Sequence, residues 1–276
     1  CMDLKVAVTV HTGSMGWADR SSPENFVFNH LGHFAQSHHL TARSLFMGGV
    51  TERFPALNIA FLEGGTGWAC NLYSALLSHW AKRSRKSLDT MLKPTLYDRG
   101  KARKLFEQYA GSNKYLARHC EDILARNLDP VSPGMSQEAL TEKDAAVDDF
   151  SRLNLRSRKD IARRFAGNFY FGCEADDPMT AIAFDARAGL KLKPLLGSDI
   201  GHFDVIDASS VLEEAWEMVE DGLLTEDDLR EFSFTNVVEL HAGMNADFFK
   251  GTLVEAAAKK ELVRARKRDF TRVKSH

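Results

Sequence analysis

The chain has 276 residues, of which 44 % are hydrophobic and 27 % are charged, so it can bury the core of one large domain or two ordinary ones. This composition excludes a disordered, collagen-like or low-complexity chain. Lys and Arg number 36 against 38 Asp and Glu, and this balance argues against a nucleic-acid or membrane-surface binder. We therefore expect a small-molecule substrate as partner, with no nucleic acid and no membrane.

The cysteines and the first residues bear on the compartment. Cys1, Cys70, Cys120 and Cys173 are too widely spaced for a CxxC pair or a dense disulfide framework. Residues 1–6 lack the basic-then-apolar order of a signal peptide, and no apolar run approaches the ~20 residues that span a bilayer. These features predict a reduced, cytoplasmic enzyme.

Four short apolar stretches predict four buried strands. They are residues 4–10, 57–62, 168–173 and 190–196. Each is rich in β-branched or aromatic residues, and helices or loops are expected between them. The alternation predicts an α/β fold.

A polar residue that can bind a metal follows each predicted strand. These residues are His11, Glu63, Glu174 and Asp199. Strands often end in polar residues because loops are solvated, so a single such residue indicates little. A (β/α) barrel places its chemistry at this end of its strands, and the four residues together favour a site there.

Two further regions are expected to be helical. Residues 78–165 are charged and poor in strand formers, and they carry helical spacing over 99–109 and 114–126, which predicts a helical insertion. Capping-box patterns begin at Ser210 and Thr225, and the first predicts a helix that ends near residue 220. The basic segment 253–276 is expected to form a C-terminal helix or tail.

One string carries most of the information about family. Residues 54–68, FPALNIAFLEGGTGW, preceded by GGVTER at 48–53, closely resemble the amidohydrolase-related family. That family includes aminocarboxymuconate-semialdehyde decarboxylase and the resorcylate-type decarboxylases. VTVHTG at 8–13, LGSD at 196–199 and FTN at 234–236 agree with it in order.

The resemblance implies a metal-dependent TIM-type (β/α) barrel with a divalent ion at the strand ends, most often zinc, with manganese as the alternative. His11 matches the histidine ligand of the family's fifth strand. Asp199 matches the eighth-strand aspartate, which binds the metal and handles the proton of the nucleophilic water. Imidazole and carboxylate are ligands that zinc accepts, and zinc lowers the pKa of its water to ~7.

The chain departs from the family pattern at two positions. Only ten residues precede His11, and they contain no paired HxH or ExH motif. Glu63 stands where many members have a catalytic histidine. A carboxylate there can carry a proton if burial raises its pKa, or it can simply accept hydrogen bonds from the turn that follows. Both interpretations stay open.

The number of predicted strands is smaller than a complete barrel needs. A barrel of this type uses ~250 residues, whereas only four strand–helix units are visible outside the predicted insertion. We therefore expect residues 1–276 to be a single barrel domain that forms the C-terminal part of a longer barrel, with its first strands absent. Unpaired strand edges favour pairing with another copy, so we also expect a homo-oligomer.

Several other side chains are candidates for the substrate pocket. His33 and His38 follow the first predicted strand, His202 follows Asp199, and Trp17 follows a glycine at a strand end. We predict that they contact substrate. The alternatives are helix capping, surface exposure and, for Trp17, packing beneath the loops.

These features predict a metal-dependent hydrolase that acts on a small carboxylated or cyclic substrate. Asp199 and Glu63 would be catalytic, and His11 and Asp199 would hold the metal. A nonoxidative carboxy-lyase of the same family is one alternative. A non-catalytic barrel remnant that binds a ligand or partner is the other.

Overall fold

A computed structural model describes residues 1–12, 22–87, 89–90, 98–127, 149–185, 191–203 and 205–268. The predicted pocket residue Trp17 lies outside these residues. The chain divides into two compact units, of which the first combines residues 1–77 with 152–276 and the second comprises residues 78–151.

The first unit is built around a parallel sheet of four strands. In chain order they are β1 (Val8–Val10), β2 (Ile59–Phe61), β3 (Phe169–Cys173) and β4 (Pro194–Leu196). Their order in the sheet is β1-β2-β3-β4, and every neighbouring pair is parallel. The prediction of an α/β fold with strands at these four places is confirmed, although all four strands begin later than the apolar runs do.

The strand register places the carboxyl ends of all four strands at one edge of the sheet. Val10 is level with Phe61, and Phe61 is level with Phe171. Cys173 is level with Leu196. Because the pairing is parallel and nearly unstaggered, the residues that follow the four strands emerge at the same edge.

Aromatic side chains fill the layer between the central strands and the helices. Phe61 meets Phe169 edge-on at 5.3 Å between ring centroids, and Trp68 meets Phe61 edge-on at 5.5 Å. Phe165 packs edge-on against Phe169 at 5.3 Å. Burying one such ring stabilises the fold by about 1.5–3 kcal/mol, so this cluster fixes β2 and β3 against their neighbouring helices.

Helices connect and cover the strands. In chain order they are α1 (Phe26–His30), α2 (His33–Met47), α3 (Val50–Arg53), α4 (Gly67–Arg83), α5 (Arg85–Ser87), α6 (Arg99–Ala110), α7 (Lys114–Arg118), α8 (Cys120–Asn127), α9 (Arg158–Asn168), α10 (Thr180–Ala183), α11 (Val211–Glu220), α12 (Glu226–Arg230), α13 (Asn236–Ala242) and α14 (Glu255–Ala265). A π-helical turn, Glu231–Thr235, joins α12 to α13. None of the helices described is both long and apolar enough to cross a membrane.

The second unit contains the helices of the predicted insertion. Helix α6 matches the helical spacing at 99–109, whereas the spacing at 114–126 forms two helices, α7 and α8, interrupted at His119. The predicted end of the insertion at residue 165 falls inside α9. That helix belongs to the first unit and leads directly into β3, so the compact second unit ends earlier, at Ser151.

One of the two predicted capping boxes forms. The Thr225 hydroxyl accepts a hydrogen bond from the Asp228 amide at 3.1 Å, and the Asp228 carboxylate accepts one from the Thr225 amide at 3.1 Å. Helix α11 ends at residue 220 as predicted, but the capping box at Ser210 is wrong. The Ser210 hydroxyl donates to the Asp207 carbonyl at 2.9 Å and does not cap the helix.

The basic C-terminal segment packs against the first unit as far as it is described. Arg268 is buried, and its Nη1 donates to Glu231 Oε2 at 2.9 Å and to Asn236 Oδ1 at 2.6 Å. Its Nη2 pairs with Glu239. The segment beyond Arg268 lies outside the described residues.

Candidate functional site

Two residues that follow strands have a left-handed backbone conformation. Glu63 has φ 60° and Asp199 has φ 46°. For a residue with a Cβ this conformation costs roughly 1–2 kcal/mol, somewhat less for Asp. Such local strain persists only where the surrounding structure imposes it, and it concentrates at functional sites. Both positions were predicted from the sequence as catalytic.

Backbone hydrogen bonds hold the turn that carries Glu63. The Leu62 amide donates to the Val10 carbonyl at 3.0 Å, and the Gly65 amide donates to the Gly172 carbonyl at 2.9 Å. The turn is thus tied to β1 on one side and to β3 on the other. A Cβ at Gly172 would lie 3.0 Å from the Glu63 amide nitrogen, so a glycine there allows this close approach.

His11 and Glu63 form an imidazole–carboxylate pair. His11 Nε2 lies 2.8 Å from Glu63 Oε1, and His11 Nδ1 lies 3.0 Å from the carbonyl oxygen of Thr12. Both ring nitrogens therefore face acceptor oxygens. The imidazole is thus fixed between the Thr12 carbonyl and the Glu63 carboxylate.

Asp199 and His202 form a second such pair. His202 Nδ1 lies 2.7 Å from Asp199 Oδ2, within the turn that follows β4. The carboxylate orients the imidazole, as carboxylate partners commonly do for metal-binding and catalytic histidines.

The two pairs converge on one group that can hold a metal ion. Ligand atoms of Glu63, Asp199 and His202 all lie within 4.8 Å of one another. Two carboxylates and an imidazole are the donor set that Zn²⁺ and Mn²⁺ accept. The residues present therefore fit a divalent ion.

The group differs from the ligand set predicted from the sequence. Asp199 was predicted as a ligand, Glu63 as an acid or base and His202 as a substrate contact, and the structure brings all three together. His11, the other predicted ligand, lies one hydrogen bond behind Glu63. In this position it orients the Glu63 carboxylate.

A cavity of about 470 Å³ opens above this group. Its lining includes Glu63, Glu174 and Asp199, together with apolar and aromatic residues of the segment 26–35. Phe203 and His202 complete the lining from the turn after β4. The volume falls within the range of about 300–1,000 Å³ that is typical of small-molecule sites.

The other predicted pocket histidines lie beneath the cavity. His38 is completely buried, and its Nε2 donates to the Leu62 carbonyl at 2.5 Å. Burial lowers the pKa of His38, so it is neutral at pH 7. His33 is also buried, with Nδ1 2.6 Å from the His30 carbonyl. Within the described part of the chain neither lines the cavity, and His38 instead supports the peptide before Glu63.

Glycine is required where the turn passes over His38. A Cβ at Gly64 would lie 2.7 Å from His38 Cδ2 and 3.0 Å from Trp68 Nε1. The imidazole and the indole therefore pack directly against the backbone of the turn. This contact explains the first glycine of the Gly64–Gly65 pair.

Some lining residues were not predicted from the sequence. Glu174 was recognised as following a strand but was not assigned to the site, and Phe26 and Phe203 were not singled out. Phe26 and Phe203 meet edge-on at 5.8 Å between centroids although 177 positions separate them in the chain. No local pattern signals such a contact.

Comparisons of the chain with protein-family models, with curated proteins and with solved structures found no match. The function is therefore argued from the geometry of the site.

Proposed function

We propose that this chain is a metal-dependent hydrolase of the amidohydrolase-related type that acts on a small cyclic or carboxylated substrate. The observation that carries the proposal is the convergence of Glu63, Asp199 and His202 at the base of a cavity. The cavity lies at the carboxyl edge of the parallel sheet, where α/β enzymes place their active sites.

The order of the strands supports a barrel as the architecture. Consecutive parallel strands that lie side by side in chain order, with helical connections, are the winding of a TIM-type (β/α) barrel. A doubly wound sheet reverses its strand order at a switch point, and the four strands described do not. On this proposal the sheet is a segment of a barrel wall.

Glu63, Asp199 and His202 would hold the divalent ion, zinc or manganese. The bound ion would supply Lewis-acid polarisation of the scissile carbonyl and would lower the pKa of a coordinated water to ~7. His11 keeps the Glu63 carboxylate in position through its contact of 2.8 Å.

One carboxylate carries the proton through the reaction. The Asp199 carboxylate accepts the proton of the attacking water, while His202 Nδ1 holds its Oδ2 in place. Asp199 then gives this proton to the leaving group, so the site returns to its starting protonation state. Glu63, held by His11 Nε2 at 2.8 Å, serves as a ligand of the ion.

A turnover panel tests the proposal. Zinc-loaded and manganese-loaded protein is assayed on small lactones and cyclic amides, and CO₂ release is measured in parallel with hydroxybenzoates. We expect hydrolysis that Asp199→Asn lowers by about 100-fold or more with an unchanged circular dichroism spectrum. Glu220→Gln, which removes an exposed carboxylate that does not line the cavity, should retain full activity.

Three results would overturn the proposal. CO₂ release without hydrolysis would identify a carboxy-lyase. Full activity in Asp199→Asn would remove the proposed site from the reaction. No turnover in either panel by metal-loaded protein would leave ligand binding as its role.

A further inference from the structure

A second cavity adjoins the first along the edge of the sheet. It has a volume of about 440 Å³ and shares Glu174 and Asp199 with the first cavity. Its own lining adds Asp176, Asp207, Glu214 and Glu217. The two cavities together form one trough, which we call the acidic trough.

Negative charge is concentrated in the acidic trough. Three carboxylates line the first cavity and four more line the second, whereas no Lys or Arg occurs among the described lining residues of either. The whole chain is nearly balanced, with 36 basic and 38 acidic residues, so composition does not explain this segregation. A divalent ion held by Glu63 and Asp199 would balance two of the seven charges, and five would remain. Concave surfaces of one sign concentrate ligands of the opposite sign.

Aromatic rings line the first cavity together with the carboxylates. Phe26 stacks on His30 at 5.0 Å between centroids, and Phe203 meets Phe26 edge-on at 5.8 Å. Phe26 is 51 % exposed and Phe203 is 79 % exposed, so ring surface is open to a ligand. Aromatic faces attract cations, most strongly alkylammonium groups that shed little hydration.

We infer that the substrate of this site carries an organic cation, an amine or quaternary ammonium group, on an aromatic or apolar body. The cation would lie among the carboxylates of the acidic trough, and the apolar body would lie against the aromatic wall formed by Phe26, His30 and Phe203. The inference rests on the proposed function, because it concerns the same cavity. It narrows the proposed substrate class from small cyclic or carboxylated molecules to those that carry an organic cation. A substrate with a free carboxylate would be repelled by the carboxylates of the acidic trough.

Three probes with one ring and different charges test the inference. Benzyltrimethylammonium, benzyl alcohol and benzoate are titrated into the full chain by calorimetry, once after treatment with a chelator and once after loading with zinc. We expect the ammonium probe to bind at least tenfold more tightly than the other two after chelation. After zinc loading it should still bind more tightly than benzoate.

Variants locate the binding. Glu174→Gln should weaken binding of the ammonium probe about threefold to tenfold, and Phe26→Leu should weaken it by a similar factor through the lost ring face. Glu220→Gln serves as the matched control and should change nothing. The circular dichroism spectrum shows whether each variant is folded, and Phe26→Leu keeps the test decisive if Glu174→Gln does not fold.

The outcomes separate this inference from the proposed function. Benzoate binding as tightly as the ammonium probe in both forms would overturn the inference, and so would the absence of saturable binding of the ammonium probe. The inference would also be overturned if Glu220→Gln weakened binding of the ammonium probe as much as Glu174→Gln does. Tight ammonium binding to a protein that retains no metal would support the inference while contradicting the metal-dependent function. Metal-dependent hydrolysis together with a preference for benzoate would support the proposed function and contradict the inference.

Discussion

Two residues in left-handed conformation lie at the centre of the site. Glu63 and Asp199 both adopt positive φ in turns that follow strands, and both belong to the group that can hold a metal. Glycine would adopt this conformation without strain. A charged side chain at each position is therefore retained at the expense of stability, as is common where a residue is needed for function.

Comparing Glu63→Gly with Glu63→Ala separates the effect of backbone strain on stability from the effect of losing the side chain. Glu63→Gly and Glu63→Ala both remove the carboxylate, but only Gly relieves the left-handed strain. The strain is about 1–2 kcal/mol and the extra chain entropy of glycine opposes it by about 0.5–1, so we expect Glu63→Gly to be about 1 kcal/mol more stable than Glu63→Ala. Urea denaturation measures the difference. If the turn carried no strain, Glu63→Gly would instead be less stable than Glu63→Ala by about 0.5–1 kcal/mol, the chain entropy of glycine, and this result would contradict the prediction.

Lys193 gives the stability of the fold a pH dependence. It is fully buried, and its Nζ donates to the Gly167 carbonyl at 2.7 Å and pairs with Glu239 at 3.1 Å. Burial lowers its pKa from 10.5 to about 8. Between these two values the unfolded chain binds more protons than the folded one, so stability rises with pH across this window.

We expect the free energy of unfolding to rise between pH 7.5 and pH 9.5 by on the order of 1–2 kcal/mol relative to Lys193→Met. Tyr170, which lies beside Lys193, stays protonated in both states over this range because burial raises its pKa further above 10. Urea denaturation at the two pH values provides the measurement. Parallel behaviour of wild type and Lys193→Met would show that Lys193 does not titrate in this window.

Among the elements, the two residues predicted as helix caps, Ser210 and Thr225, behave differently. Thr225 exchanges hydrogen bonds with Asp228, whereas the Ser210 hydroxyl donates to Asp207 and leaves helix α11 without a side-chain cap. We expect Thr225→Ala to lower the free energy of unfolding by about 1 kcal/mol, and Ser210→Ala by about 0.5 kcal/mol or less. Thermal and urea denaturation of the two variants would be compared. Equal losses would contradict this assignment of caps.

Local sequence patterns predicted the strands because a buried strand requires a short run of apolar residues, which is visible in the sequence itself. Each strand is an apolar run that ends in a polar residue, and parallel pairing brings those ends together whatever the intervening segments do. The capping box at Ser210 was mispredicted because Ser210 has a helical backbone conformation, with φ −89° and ψ −11°, whereas Thr225 has the extended conformation typical of a capping residue.

The site was predictable where it follows the strands and unpredictable where it depends on packing. Glu63 and Asp199 lie in the turns just after β2 and β4. The burial of His38 had a signal in its spacing, since His38, Ala42 and Phe46 recur every four residues and all face the core. The contact of Phe26 with Phe203 depends on tertiary structure alone.

At the scale of the whole molecule, Arg268 ties the described end of the C-terminal segment to residues beside β4. Arg268 bonds to Glu231, Asn236 and Glu239, and Glu239 also pairs with Lys193 at the start of β4. The network links the last described residues of the chain to the central strands.

Two arginines on this segment form a matched pair for mutation. Arg268→Met would leave buried carboxylates short of a partner, and we expect it to cost about 3 kcal/mol. Arg264→Met removes only an exposed ion pair with Asp227 and should cost about 1 kcal/mol or less. Equilibrium unfolding in urea measures both losses. Similar losses in the two variants would show that Arg268 does not anchor the segment.

The central claim is that Glu63, Asp199 and His202 form a metal site, and metal content tests it most directly. Inductively coupled plasma mass spectrometry of purified wild type, Asp199→Asn and the control Glu220→Gln gives the bound metal per chain. We predict close to one zinc or manganese ion per chain in wild type and in Glu220→Gln, and a loss of that ion in Asp199→Asn. A wild type without a stoichiometric divalent ion, or an ion that Asp199→Asn retains in full, would contradict the claim.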